Sequence, residues 1–199
     1  MKLAPVVREV FSKGDFHQLG MRRIAKEAKV GYATLYRHFG TKEQLLFSFI
    51  DEWLVELVES MIEHLQGLES IKEKLRKILW LQLDFYEKNI ELGKILFMTV
   101  PRKTWMEHES FEQERLTKIL LDVIKEGQKT GCLFTDVPPR YFLDIGHGII
   151  TRAFQMWIYR GQRDSLSSQT NMWFKLIWSG FSRPVGLPGQ LGFRGEQND

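Results

Sequence analysis

The side chains best suited to chemistry cluster between residues 31 and 42, in a polar and basic stretch of the chain. Thr34, Tyr36, His38 and Lys42 offer hydroxyl, phenol, imidazole and ammonium donors within nine positions. Donors of these kinds are the groups that proteins use to bind phosphate oxygens. Lys42 would also lie in the first turn of a helix, where free backbone amides favour a phosphate. The pattern indicates a surface for a phosphate-rich polyanion.

Two short helices and a tight turn must position these donors. Apolar spacing predicts a helix over 21–28, a turn at 29–31, a second helix over 32–38, and a long helix that begins after Thr41. Thr41 and Gln44 have the spacing of a capping box. A short helix, a turn and a second short helix form a helix-turn-helix, whose second helix enters the DNA major groove with its N-terminus first.

Helical spacing separates the two faces of that second helix. Leu35 and Phe39 share the inward side. On the other side, Ala33 is small enough to let the helix approach base edges. Tyr32 and Arg37 are candidates for base reading or for backbone contact. The alternative for each exposed side chain is plain solvated surface, and for Tyr36 it is packing.

The same stretch resembles the TetR family, with the family's spacing kept over residues 6–47. The shared features are Gly14-Asp15-Phe16, Ile24-Ala25 with Ala28, Val30, Thr34-Leu35-Tyr36 with His38-Phe39, and Thr41-Lys42-Glu43. The resemblance implies a homodimeric, usually repressing regulator in which an inducer bound to the body spreads or reorients the two DNA-binding units. It also supports DNA contact by the residues from 31 to 42.

Four positions depart from the family pattern. Lys29 replaces the turn glycine, so it is expected to hold a left-handed conformation at a cost of roughly 1 kcal/mol. Gly31 stands where a serine usually starts the second helix, and can cap it without offering a hydroxyl to phosphate. Ala33 and Gly20 replace a glycine and a hydroxyl residue. These changes bear on the operator sequence rather than on the fold.

Charge and composition fit this interpretation. Residues 1–46 hold nine Lys/Arg and four Asp/Glu, a net charge of +5 within a chain total of +3, which leaves −2 for the rest. A basic first quarter favours a polyanionic partner, although a chance fluctuation on a solvated surface is the alternative. The chain has one cysteine and no secretory signal, and no apolar run approaches the ~18 residues of a spanning helix. These features predict a cytoplasmic protein with no membrane partner.

Behind residue 46, helical spacing continues and no confident strand is found. The predicted helices of this part include one near 90–98 and one near 106–126 that ends at Gly127. We predict an all-α fold of about nine helices: an N-terminal three-helix helix-turn-helix unit joined through the fourth helix to a larger helical bundle. The predicted domains are 1–46 for DNA binding, 47–182 for ligand binding and dimerisation, and a disordered tail at 183–199. Because 46 residues bury little core, the first unit is expected to lean on the fourth helix.

The body is rich in aromatic and methionine side chains, most of which are expected to be plain core. A subset lining an apolar cavity would suit an apolar or amphipathic small-molecule effector. Arg152 lies among apolar residues and is a candidate anchor for an anionic group, or else pairs with Asp144 or extends to solvent. The candidate ligand-binding residues are Trp80, Phe85, Phe97, Trp105, Arg152, Phe154 and Trp157.

Helices near 139–160 and 167–181 are too apolar for the surface of a monomer. Gly146, Gly148 and Ala153 permit close helix approach. The resemblance implies that these helices form a homodimer interface with twofold symmetry. The alternative is that they complete the core of the body itself.

Other functional classes find little support. Cys132 has no evident histidine partner, and Asp144 with His147 lacks a third metal ligand. No Gly-rich phosphate loop occurs, so we expect no enzyme, no metal and no cofactor. A helical protein–protein interaction module with a basic front remains the main alternative, but it would have no reason to carry the helix-turn-helix spacing.

Overall fold

The computed structural model describes residues 3–108 and 110–182, and this part of the chain folds into ten α-helices with no strand beyond an isolated Leu133–Ser182 bridge. The all-α prediction is confirmed, with ten helices rather than about nine. The tail predicted at 183–199 lies outside the described residues. The helices are α1 Leu3–Lys13, α2 Met21–Glu27, α3 Tyr32–Phe39, α4 Lys42–Leu65, α5 Ile71–Lys88, α6 Ile90–Lys94, α7 Arg102–Glu107, α8 Phe111–Lys129, α9 Pro139–Tyr159 and α10 Thr170–Phe181.

The extra helix arises where one helix had been predicted near 106–126. The Ser110 hydroxyl accepts from the Gln113 backbone N–H at 3.3 Å, and the Gln113 side chain accepts from the Ser110 N–H at 3.2 Å. This capping box starts α8 at Phe111 and leaves α7 as a separate helix. The Ser-x-x-Gln signature was present in the sequence and predicts this boundary.

The far end of α8 also differs from the prediction, which ended the helix at Gly127. The helix continues to Lys129, and Gly127 is buried inside it. A Cβ on Gly127 would lie 2.6 Å from Leu133 Cδ1. The glycine therefore lets the following loop pack against α8 rather than ending the helix.

A single helix predicted near 90–98 is instead two segments. Helix α6 runs directly into a π-helical turn at Ile95–Thr99. Ile95 is fully buried in this turn, and the Phe97 carbonyl accepts from Gln155 Nε2 of α9 at 2.8 Å. Short π-helical segments occur often at functional sites.

Helix α4 connects the N-terminal unit with the body and supplies the centre of the core. Its buried side chains follow helical spacing and pack mainly against α5 and α8. The largest fully buried ones are Leu45, Leu46, Ile50, Leu54, Leu57 and Met61. The predicted Thr41–Gln44 capping box is confirmed at its start.

The N-terminal unit rests on more than α4. Helix α1 also packs against α6 and the π-helical turn at Ile95–Thr99. Arg8 lies 4.7 Å from the centroid of the Trp53 ring on α4. The unit is therefore in contact with two separate parts of the body.

No helix in the described part of the chain is both long and apolar enough to cross a membrane.

Candidate DNA-binding surface and ligand cavity

The turn between α2 and α3 has the geometry that the sequence predicts. Lys29 adopts φ +54°, so its expected left-handed conformation is confirmed. The Val30 backbone N–H donates to the Ala25 carbonyl at 3.0 Å, which closes the turn. Gly31 is the N-cap residue of α3 and makes no side-chain cap bond, as a residue without a hydroxyl must. Helix α3 is thus set firmly against α2.

Helix α3 presents its polar face to solvent. Leu35 is 3% exposed and holds the helix to the core, whereas Tyr36 is 55% exposed and Tyr32 is 42% exposed. Phe39 is half-buried and lies 6.1 Å from the Phe49 ring. The other predicted contact residues of α3 and its N-cap are also exposed: Gly31, Ala33, Thr34, Arg37 and His38.

The two tyrosines of α3 form one aromatic surface. Their rings stack at a centroid distance of 5.9 Å, one helical turn apart. The Arg22 guanidinium of α2 lies 5.6 Å from the Tyr32 ring centroid. Both rings therefore lie next to each other on the outer face of α3.

Lys42 differs from the other predicted contact residues because it is half-buried. Its ammonium donates to the Phe16 carbonyl at 2.6 Å and lies 4.2 Å from the Phe16 ring centroid. No local sequence pattern predicts this contact. An ammonium has three donors, so this bond leaves two N–H groups for another acceptor.

A second feature is a cavity of about 710 Å³ inside the body, lined from α4, α5, α7, α8, α9, α10 and the π-helical turn. Its walls are mainly apolar, with a few polar groups among them. The lining residues are Leu54, Leu75, Ile78, Leu79, Gln82, Tyr86, Leu96, Phe97, Arg102, Trp105, Met106, Gln113, Leu116, Thr117, Leu120, Ile124, Phe142, Leu143, Asp144, Gly146, His147, Gly148, Ile150, Phe174, Ile177 and Phe181.

Of the seven predicted ligand-binding residues, Phe97 and Trp105 line this cavity and five do not. Arg152 and Trp157 line a second cavity of about 810 Å³ between α9 and α10. The remaining three, Trp80, Phe85 and Phe154, line neither.

Each of those three side chains packs elsewhere. Phe154 is fully buried behind Phe97, with ring centroids 5.4 Å apart. Phe85 is buried against Tyr86. Trp80 is half-buried, and the Lys77 ammonium lies 4.5 Å from its ring centroid. Helical spacing identified these residues as inward-facing but carried no information on which inward face borders a cavity.

The polar groups of the cavity come mostly from residues that the sequence did not single out for ligand binding. They are Gln82, Arg102, Gln113, Thr117, Asp144 and His147. Desolvation and the positive charge of Arg102 lower the pKa of His147, and Asp144 partly opposes this. Burial raises the pKa of the Tyr86 phenol, which therefore stays neutral in the cavity wall.

The cavity wall contacts the helix that carries the DNA-binding unit. The Trp105 ring of α7 packs edge-on against Phe47 of α4, with centroids 4.9 Å apart. Asp51 of α4 accepts from the Glu112 backbone N–H at 2.8 Å, and Arg115 bridges Glu112 and Glu59. Helix α4 is thereby tied to α7 and to the start of α8.

Comparison with known proteins covers both regions. The model for bacterial regulatory proteins of the tetR family matches residues 7–49, and that for the YsiA-like protein, C-terminal region, matches residues 50–180. The chain is 25% identical to the fatty acid metabolism regulator protein of Bacillus subtilis (strain 168) over 183 residues, covering 90% of this chain and 94% of the relative. It is 20% identical to the HTH-type transcriptional regulator UidR of Escherichia coli (strain K12), over 75% of this chain and 78% of the relative.

The fold agrees with these sequence matches. The crystal structure of the transcriptional regulator FadR from Bacillus subtilis in complex with stearoyl-CoA superposes with a TM-score of 0.74 at 22% identity, covering 89% of this chain and 97% of that chain. The two family models together span nearly all of the described residues, with the helix-turn-helix in the first and all of the cavity lining except Phe181 in the second. The chain belongs to the tetR family of bacterial regulatory proteins, which are DNA-binding transcriptional regulators and not enzymes.

Proposed function

We propose that the chain is a homodimeric repressor that leaves its operator when a long-chain acyl ligand fills the cavity of the body. The cavity is the observation that carries the proposal, since about 710 Å³ of mainly apolar space with a few polar groups is typical of small-molecule sites. The Bacillus subtilis regulator crystallised with stearoyl-CoA supports an acyl chain as the apolar part of that ligand.

In this proposal, residues 1–46 bind DNA and residues 47–182 bind the ligand and the second protomer. Tyr36 and Lys42 contact phosphates, together with Thr34 and His38. Tyr32 and Arg37 read bases from the outer face of α3, and Gly31 and Ala33 let the start of the helix approach the groove. The exposure of all these residues except Lys42, and the two unused donors of the Lys42 ammonium, support these roles.

Substitutions can separate the two kinds of contact. Tyr36→Phe and Lys42→Ala should weaken binding to all duplexes alike, and Lys42→Ala should lower the salt slope by about 1. Tyr32→Ala and Arg37→Ala should instead alter the preference among sequences, by about 1–3 kcal/mol at the base concerned. Fluorescence anisotropy on an operator and its single-base variants measures both. Uniform weakening by all four variants would remove Tyr32 and Arg37 from base reading.

The dimer proposal rests on the outer surfaces of α9 and α10. Tyr141 and Ile145 are exposed one turn apart on α9, and Met172 and Leu176 are exposed one turn apart on α10. Leu176 is 62% exposed. Large apolar side chains that follow helical spacing on two adjacent helices fit a twofold interface between identical copies. In the DNA-competent dimer the recognition helices would lie about 34–36 Å apart, or farther where the half-sites are spaced more widely.

A charge at this surface should separate the protomers. Leu176→Glu should turn a dimer into a monomer at micromolar concentration, as light scattering would report. Val55→Glu is a matched control, because Val55 is also an exposed apolar residue but lies on α4. A wild-type protein that is monomeric at this concentration, or dissociation by the control alone, contradicts the interface.

Ligand release is best tested on DNA. Duplexes tiling the chain's own upstream region would be titrated at two salt concentrations with random duplex as competitor, and then with stearoyl-CoA, stearate or coenzyme A. Salt-sensitive, competitor-resistant binding to one near-palindromic duplex is expected. Stearoyl-CoA or stearate should release it and coenzyme A should not, because coenzyme A lacks the acyl chain. Release by neither acyl ligand would contradict the assignment.

A further inference from the structure

Two oppositely charged side chains on the outward side of α9 have no partner in the described part of the chain. Asp144 and Arg152 are both exposed, and neither lies within ion-pair distance of an opposite charge among residues 3–108 and 110–182. They are eight positions apart, which is just over two turns of the helix. The outward side of α9 therefore carries one negative and one positive group that a second molecule could bind.

Gly148 lies midway between these charges, four residues from each. It is exposed, and a Cβ on it would meet no atom within 4 Å. The backbone is thus bare at this point, and another helix can approach it closely. The rise of an α-helix places Asp144 and Arg152 about 6 Å to either side of Gly148 along the helix axis. The exposed apolar side chains of Tyr141 and Ile145 lie on the same side.

This symmetric spacing favours one way for two copies of α9 to pack. In an antiparallel pair related by a twofold axis beside Gly148, Asp144 of one protomer stands opposite Arg152 of the partner subunit, and the second pair follows by symmetry. In a parallel pair at the same register, each charge would instead face its own kind. Opposed like charges are costly, and complementary charges fix the register of an interface. The two charges therefore select the antiparallel arrangement.

The same stretch of α9 borders the ligand cavity. Asp144, His147 and Gly148 line the cavity and are also exposed, so the cavity reaches the surface here. Arg152 does not line this cavity in its own chain. A second copy packed beside Gly148 would cover part of the cavity mouth and bring an arginine to it.

We infer that α9 packs antiparallel against α9 of a second copy, and that Arg152 of the partner subunit pairs with Asp144 at the mouth of the ligand cavity. The inference rests on the proposed homodimer. It adds the register of the interface and names a residue that one protomer contributes to the ligand site of the other.

Charge reversal tests the pairing in the full-length protein. Asp144→Arg and Arg152→Asp each turn two attractive pairs of the dimer into two repulsive ones, so each should raise the dimer dissociation constant at least about 10-fold. In an equimolar mixture of the two variants, both pairs of the mixed dimer are attractive again. The mixture should therefore dimerise within about 3-fold of wild type, as light scattering would report. Lys125→Asp is the matched control, because Lys125 is exposed on α8 and should leave the dimer unchanged.

The mixture decides the register. Variants that remain separate when mixed, or that each dimerise as tightly as wild type, overturn the pairing while the proposed dimer stands. A monomeric wild type overturns both. Should a reversed variant fail to fold, a double-mutant cycle of Asp144→Asn and Arg152→Gln on the dissociation constant replaces it. A coupling of at least about 2-fold is expected there, and strictly additive effects contradict the pair.

The contribution to the ligand site is tested with Arg152→Gln at a concentration where this variant is dimeric. Stearoyl-CoA should bind about 3- to 10-fold more weakly than to wild type, because a positive charge is lost and Asp144 is left uncompensated at the mouth. Arg160→Gln is the matched control and should keep the affinity, since Arg160 is also exposed near the end of α9 and does not line this cavity. Equal affinity of Arg152→Gln and wild type overturns the contribution across the interface. A wild type that does not bind stearoyl-CoA overturns the acyl assignment instead, and the mixing experiment still decides the pairing.

Discussion

The DNA-binding surface and the ligand cavity are built in opposite ways. The predicted contact residues lie within 31–42 and are mostly exposed, on one short helix and the start of the next. The cavity is lined by residues from Leu54 to Phe181 that belong to six helices and a π-helical turn. A contiguous surface can change its contacts by single substitutions without disturbing the fold. A cavity made of so many elements changes its shape whenever any one of them repacks.

The largest effect expected from this contrast concerns Gly93 in α6. A Cβ there would overlap the ring of Phe154, which is fully buried and packs on the cavity-lining Phe97. Gly93→Ala should therefore lower the free energy of unfolding by about 1–3 kcal/mol and weaken ligand binding. Urea unfolding and ligand titration measure the two effects.

Gly146→Ala provides the matched control for that substitution. Gly146 is also helical and also lines the cavity, but a Cβ there meets no atom within 4 Å. Its stability should stay equal or rise by up to about 1 kcal/mol, since alanine favours helix. Equal unfolding midpoints for the two variants would show that the body tolerates repacking as well as α3 tolerates surface changes. The cavity would then be no more sensitive to substitution than the DNA-binding surface.

A smaller effect is expected in the turn before α3. Lys29 holds a left-handed conformation at φ +54°, which glycine adopts without a Cβ clash. Lys29→Gly should raise the free energy of unfolding by up to about 1 kcal/mol, the relief of strain exceeding the entropy that glycine adds to the unfolded chain.

Lys26→Gly removes the same charge from the same short unit but inside α2, where glycine costs about 1 kcal/mol relative to a good helix former. The two variants should therefore move the denaturant midpoint in opposite directions while lowering non-specific DNA binding equally. A shift of the same sign in both would mean that Lys29 is not strained.

These differences explain what could be predicted from the sequence. The helix-turn-helix, the Thr41–Gln44 capping box and the left-handed Lys29 each depend on residues within a few positions of one another. Local sequence therefore contains the information that fixes them. The break at Ser110 depended on an equally local signature that the prediction overlooked.

The cavity depends on how distant helices pack against one another, which the spacing of apolar residues along the sequence does not encode. Phe97 and Phe154 are both inward-facing aromatic residues in contact, yet Phe97 lines the cavity and Phe154 lies behind it. The choice follows from Gly93, whose missing side chain gives Phe154 its space. Arg152 was a reasonable anchor by its apolar neighbours, but its direction on α9 sets it at the second cavity, while Arg102 of α7 lines the first.

The smallest effect expected is a pH dependence located in the cavity wall. Desolvation and the positive charge of Arg102 lower the pKa of His147 below its ordinary 6.5, and Asp144 partly offsets this. Protonation of His147 therefore costs more in the folded chain than in the unfolded chain. The folded state keeps its full stability above the unfolded pKa and loses stability as the pH falls below that value, until the folded pKa is passed.

Between about pH 7.5 and about pH 5.5, the wild type should lose slightly more stability than His147→Gln, whose side chain does not titrate. Thermal unfolding at both pH values measures the difference, and an equal loss in the two proteins would remove His147 as the source. Because the side chain is partly exposed, solvent screening keeps the effect small, which is why it ranks below the packing and backbone effects.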